Sequence, residues 1–160
     1  MISIKVESFT KCFEEIQPLT VEHWRELALE QDKVPLDPRW DIYLERDHVG
    51  DILFVTVREK GKLLGYFVGF VGPGLHYKSC KTLQMDVFWI HPDLRDSDSL
   101  SSIEAEVIAE DLFSAVQQEA KRRGVKRIFV GSKMHKDASA LFERIGYTEV
   151  ERYYSLWIGG

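Results

Sequence analysis

Asp86 is the residue whose setting points most directly to chemistry. It stands in the run Leu83-Gln84-Met85-Asp86-Val87-Phe88-Trp89-Ile90, with apolar side chains on either side. Desolvation there raises a carboxyl pKa, which suits a base working through water. The plainer alternative is an edge carboxylate paired with a nearby cation. The cluster Ser132-Lys133-Met134-His135-Lys136 and the isolated Arg95 each offer either an anion contact or a surface cation. Ser99, Ser101 and Ser102 precede an apolar stripe, where hydroxyls and the first N–H groups of a helix can hold a phosphate. His76-Tyr77 follows the break Gly72-Pro73-Gly74 and reads as a loop that carries chemistry or merely an aromatic anchor. Trp40 and Tyr43 either wall a pocket or pack an irregular segment. Cys12 and Cys80 lack support for a nucleophile and read as small buried hydrophobes. The histidines show no metal-binding helical spacing, so no metal site is expected.

The elements that must position these residues follow from periodicity. Alternation over residues 2–9 predicts a strand. Thr10 is the expected N-cap of a helix carrying Cys12, Phe13 and Ile16 that breaks near Pro18, before a second helical stretch from Thr20 through Trp24, Leu27 and Ala28. Trp40, Tyr43 and Leu44 suggest a short amphipathic turn. Ile52–Arg58 and Leu63–Val71 form a hairpin about Lys60-Gly61, and Thr82–His91 is a further strand stopped by Pro92. Ser101 with Glu104 fits a capping box for a long helix, with Ile103, Val107, Ile108, Leu112, Phe113, Val116 and Ala120 as its buried stripe and Gly124 as its stop. Val125–Gly131 is a strand, Asp137–Ile145 a helix, and Tyr147–Val150 and Tyr153–Ile158 are final strands, with one of Tyr153 and Tyr154 pointing inward. The order is that of a single α/β domain with a mixed sheet.

Length and composition agree. The chain has 160 residues, 44% hydrophobic and 29% charged, enough for one sizeable core. No apolar run approaches the ~20 residues of a membrane span. The N-terminus lacks signal-peptide sections, and two cysteines make no disulfide framework, so a reducing cytoplasm is expected. A net charge of −5 argues against generic nucleic-acid binding, which needs a basic face.

Residues 86–157 carry a resemblance. The run Asp86 to Arg95, the long helix ending Lys121-Arg122-Arg123-Gly124-Val125, and the segment Ala138-Ser139-Ala140-Leu141-Phe142-Glu143-Arg144-Ile145-Gly146-Tyr147 together resemble the GNAT-type N-acetyltransferase superfamily. The ending Tyr147–Trp157, with His76-Tyr77, looks most like bacteriophage-encoded members. The resemblance covers nearly the whole chain. It implies one domain over residues 1–160, a mostly antiparallel sheet flanked by helices with a splayed strand pair, and transfer of an acetyl group from acetyl-CoA to an amine of a small molecule or protein. It implies Asp86 as base and Phe88, Trp89, Ile90, Arg95, Ser99, Ser101, Ser102, Lys133 and Phe142 as coenzyme contacts. The backbone N–H of Ile90 or its neighbour would polarise the thioester. Trp40, Tyr43, His76 and Tyr77 would meet the acceptor. It places the protein in the cytoplasm, the host's if viral, and leaves the oligomeric state open, a homodimer among the options.

The sequence departs from that pattern in two places. The run Asp96-Ser97-Asp98-Ser99-Leu100-Ser101-Ser102 has no glycine where the family's phosphate loop is glycine-rich, and Arg95 and Gly124 are 29 positions apart, longer than usual. Two registers follow: phosphate held at Ser101 or Ser102, which the apolar stripe favours, or a turn at Glu104–Ala109. Phe142 stands where a tyrosine acid is common, and His135 where an asparagine is common. The general acid is therefore missing, supplied by a residue such as His135, or unnecessary. A non-catalytic GNAT-fold module, binding acyl-CoA or another protein, is the alternative reading.

Overall fold

The hairpin at the centre of the sheet forms where its turn residues demand it. Lys60 and Gly61 both take positive φ, 49° and 83°, and turn β2 (Ile52–Glu59) into β3 (Lys62–Pro73) with the handedness that matches strand twist. The computed structural model describes residues 1–95 and 102–160. In it β1 (Ile2–Val6) pairs antiparallel with β2, and β4 (Lys81–Ile90) antiparallel with β3. A short β5 (Arg127–Phe129) joins β4 in parallel and gives the order β1-β2-β3-β4-β5.

Strand alternation sends side chains to two helical layers. On one face, Leu53, Val55, Phe67 and Leu83 pack with Ile108, Leu112, Phe113 and Val116 of α3 (Ser102–Arg122) and Phe142 of α4 (Ser139–Arg144). On the other, Phe54, Tyr66, Val68 and Trp89 pack with Ile16 and Leu19 of α1 (Phe13–Leu27), Cys12 of the 3-10 turn Thr10–Cys12 that leads into it, and Phe9 just before that turn. Trp40, Tyr43 and Leu44 of α2 (Trp40–His48) cover the same face. Each large side chain so buried contributes about 1.5–3 kcal/mol. The α3-facing layer is tight: a Cβ on Gly69 would lie 2.6 Å from Leu83 Cδ1, so β3 needs glycine there.

Several expectations are corrected. Pro18 does not break the first helix; it sits on the exposed side of α1, costing at most the bond to Glu14, while buried Ile16 and Leu19 hold both halves down. Thr10 does not cap: its N–H and hydroxyl both bond Asp47 Oδ2, at 3.0 and 2.6 Å, and Ser8 Oγ accepts from the Lys11 N–H instead. Ile103 and Val107 are 71% and 46% exposed, on the rim of an open groove between α3 and Ile2 and Ile4 of β1. The expected strand Val125–Gly131 shrinks to three residues, since β5 finds β4 only at Thr82–Gln84. Tyr147–Val150 and Tyr153–Ile158 form no strands; the residues have strand propensity but pair with no edge. Among the described residues no helix is long and apolar enough to cross a membrane.

Candidate active site

Asp86 is set apart by the ladder itself. Val68 pairs with Val87 and Gly69 with Met85, so Asp86 is the extra residue of a β-bulge. The bulge also flips the facing of β4. Leu83 and Met85 look toward α3, but beyond the bulge Phe88 and Ile90 take that side, while Val87 and Trp89 face α1 and α2. Asp86 itself turns to the α1–α2 side, where Tyr43 of α2 donates its hydroxyl to Oδ2. Tyr43 is held in place by stacking on Phe9 at 5.3 Å and by contacts with Trp40 and Phe70 at 5.6 Å. The carboxylate keeps an exposed side, yet the protein around it raises its pKa, and the Tyr43 hydrogen bond only partly opposes this. Burial and the adjacent Asp86 raise the Tyr43 pKa strongly, so the phenol stays a donor.

The second feature is a gap. β4 and β5 pair only from Thr82–Arg127 to Gln84–Phe129, after which β4 runs on to Ile90 without a parallel neighbour among the described residues. The His91 N–H donates to the Leu64 carbonyl at 2.7 Å, and this fixes the antiparallel alternation. Val87 and Trp89 spend their backbone groups on β3, whereas Phe88 and Ile90 aim theirs away, into the gap. Phe88 walls the α3 side with Phe113 and Phe142, at ring distances of 5.0 and 5.8 Å. The C-terminal end of α3 lies at the start of β4, where Lys81 Nζ donates to the Arg123 carbonyl at 2.8 Å, so α3 begins near the Ile90 end. This 21-residue helix starts at that end of the sheet with its first turns, Ile103 to Val107, beside Ile2 and Ile4 of β1.

Across the gap, polar residues of α1 gather in a set that the sequence reading did not pick out. Glu26 Oε2 accepts from the Trp89 indole at 2.9 Å and from Arg95 Nη2 at 2.6 Å, and its Oε1 lies 3.6 Å from Lys136 Nζ. Burial pushes Glu26 up, but bonds from Arg95 and Trp89 outweigh it and hold the carboxyl below its ordinary value. His23, one turn earlier, stacks on Trp89 at 5.7 Å and bonds the buried Tyr66 hydroxyl at 2.8 Å. Burial lowers the His23 pKa to about 4, against the pull of Glu26. The available signals were weak: His23 and Glu26 share a helix face at i,i+3, and Tyr66 puts a polar tip inside an apolar strand.

The remaining residues fall as follows. His135 Nε2 lies 3.1 Å from the Leu27 carbonyl, which only accepts, so this nitrogen carries the proton and is spent tying its loop to α1. Lys133 bridges to Lys136 in the same loop, closed by Ser132 and Asp137 at 2.9 Å. Arg95 also donates Nε to the Ile90 carbonyl at 2.6 Å, so its guanidinium knits β4 to α1. Trp40 packs against Phe13 at 5.4 Å and Phe9 at 6.4 Å. His76 and Tyr77 stand on an exposed loop at the Lys81 end of β4, ring against ring at 6.3 Å. Ser102 opens α3; Ser99, Ser101 and the capping box lie outside the described residues.

No protein-family model matches the chain, and no curated protein matches it. Similarity appears in solved structures. A ribosomal-protein-alanine N-acetyltransferase from Brucella melitensis biovar Abortus 2308 superposes with TM-score 0.71 at 17% identity, covering 100% of this chain and 99% of that one. An aminoglycoside acetyltransferase from an uncultured soil metagenomic sample gives 0.70 at 13% identity, with 99% of both chains covered. A predicted acetyltransferase of Clostridium acetobutylicum, solved with acetyl-CoA, gives 0.63 at 11% identity over 99% of this chain and 97% of that one. Identities this low speak to architecture alone: the chain has a GNAT-type acetyltransferase fold, one α/β domain on a five-stranded, mostly antiparallel sheet.

Proposed function

We propose that the chain is one acyltransferase domain that moves the acetyl group of acetyl-CoA to an amine of a small molecule or a protein, in the cytoplasm. The observation that carries this reading is the divergence of β4 from β5 beyond Gln84 and Phe129, with Phe88 and Ile90 backbone groups on the gap and Asp86 bulged toward Tyr43. The residues fit acetyl-CoA. An extended, amide-bearing arm can take the Phe88 groups and the Ile90 N–H as an added strand would, the Ile90 carbonyl being held by Arg95. Phe88 and Phe142 offer it an apolar wall. The first N–H groups of α3, from Ser102, suit a pyrophosphate, and Lys133 supplies a cation.

Asp86 takes the proton of the incoming ammonium, directly or through water, and Tyr43 holds that carboxylate in place. The freed amine attacks the thioester carbonyl, and the N–H of Ile90 or Phe88 receives the oxyanion. His135 has committed its proton to Leu27 and Phe142 has none to give. A thiol pKa of about 8.5 lets the sulfur leave as thiolate without a positioned acid. Trp40 and Tyr43 flank the acceptor, with the His76–Tyr77 loop further out.

Thiol release from acetyl-CoA, measured over a panel of polyamines, aminoglycosides and peptide N-termini, tests the proposal; release with at least one amine, lost in Asp86→Asn, is expected. Arg95 tied to Glu26 and the absent hydroxyl at Phe142 favour a second reading, a non-catalytic acyl-CoA-binding or protein-interaction module. Binding without turnover across the panel would support it.

A further inference from the structure

The outer side of β1 combines an open backbone with an apolar groove. In the β1–β2 ladder the Glu7 N–H donates to the Phe54 carbonyl at 3.1 Å, and the Lys60 N–H donates to the Met1 carbonyl at 3.4 Å. Bonded pairs alternate along an antiparallel ladder, so Ser3 and Lys5 also turn their backbone groups to β2. Ile2, Ile4 and Val6 therefore aim their N–H and C=O groups off the sheet, where no strand lies among the described residues. The side chains of Ile2 and Ile4 lean toward α3, and a groove of 430 Å³ runs between them and that helix.

The groove has a definite chemistry. Its apolar lining is Ile2, Ile4, Ile103, Val107 and Ile108, and its polar lining is Glu104 and Asp111, two carboxylates and no cation. Ile103, Val107 and Val6 leave much of their surface in water. An added strand satisfies both features at once, with main-chain bonds to Ile2, Ile4 and Val6 and alternate side chains in the groove. A second copy of β1 laid there would bring its own Glu104 and Asp111 against these, like charge to like, so the lining favours a cationic occupant over a copy. We propose that an extended segment of another protein, apolar at alternate positions and flanked by Arg or Lys, adds to β1 as a sixth strand. Its apolar side chains fill the groove, and its cations lie toward Asp111 and Glu104. The site is at the opposite end of the sheet order from the β4–β5 gap and does not depend on the acyl-transfer reading.

The probe is the blocked peptide Arg-Thr-Ile-Thr-Val-Thr-Arg, titrated into the wild-type chain. Saturable binding by millimolar peptide is expected. The Ile2, Ile4 and Val6 amides should gain protection from hydrogen exchange, while those of Ser3 and Lys5, already bonded to β2, should not change. N-methylation of one alternate set of peptide amides should abolish binding and of the other set should not, because only one set faces β1. Asp111→Lys should weaken binding roughly tenfold, and added salt should weaken it in the wild type. A probe with Gln in place of both Arg makes the same comparison on the unaltered chain. No binding at millimolar peptide overturns the proposal, as does binding without protection at Ile2, Ile4 and Val6. Indifference to which amide set is methylated, or to charge, overturns it too. So does a free chain already protected at those three amides, whether by a second copy, seen as a dimer in light scattering, or by a segment of its own.

Discussion

Tyr43 of α2 donates its hydroxyl to the one carboxylate that the β3–β4 ladder leaves out of register, that of Asp86. This contact joins the helix layer to the bulge and partly offsets the effect of burial on the base. Asp86 has a folded pKa above its ordinary value, because burial disfavours the anion more than Tyr43 favours it. The stability this group contributes is therefore fully present below about pH 4, the unfolded carboxyl value, and is lost as pH rises through the folded value. At neutral pH the charged carboxylate works against the fold.

Asp86→Asn should consequently keep or raise the melting temperature at pH 7 while lowering turnover by roughly 10²–10⁴-fold. Parallel melting and rate measurements check it. A destabilised variant with normal turnover per folded molecule would make Asp86 a structural residue. Tyr43→Phe removes the bond that favours the anion, so the acidic limb of the rate profile should move to higher pH; an unmoved limb would detach Tyr43 from the base.

His23 should titrate near pH 4 by NMR, far below an unburied imidazole. Its pKa is lowered on folding, so its contribution to stability is complete above about pH 6.5 and disappears as pH falls from there toward 4. A midpoint between 6 and 7 by the same measurement would mean that the ring is open to water and the Tyr66–His23–Trp89 packing is absent.

Arg95 offers a choice between two readings of one cation. Bonded to Glu26 and to the Ile90 carbonyl, it should act as a tie: Arg95→Gln is expected to cost about 1–3 kcal/mol, the range for a lost charged hydrogen bond. The KM for acetyl-CoA should hardly change. A several-fold rise in KM that is suppressed by salt, with normal melting, would instead mark a phosphate contact.

Much of this architecture was legible because it rests on local signals. Lys60-Gly61 declared its turn, and the α3 stripe from Ile108 to Ala120 declared its buried face. Asp86 stood out as a carboxylate in an apolar run. The bulge that aims it was not legible, since bulges depend on how two distant strands register, and a period-2 reading of β4 carries through it unbroken. Likewise Glu26, His23 and Tyr66 meet only because α1 crosses the end of β4. Tyr153–Ile158 failed in the opposite sense: propensity was present and a pairing edge was not.

The central claim is that the gap beyond Gln84 and Phe129 receives acetyl-CoA, and a titration followed through backbone amide resonances tests it most directly. The Phe88 and Ile90 N–H signals should shift with saturation. At 100 times the dissociation constant the fold should gain about 2.7 kcal/mol, a rise of roughly 5–10 °C in melting temperature for a domain of this size. Phe88 and Ile90 resonances unmoved at millimolar acetyl-CoA, with a flat melting temperature, would contradict the account.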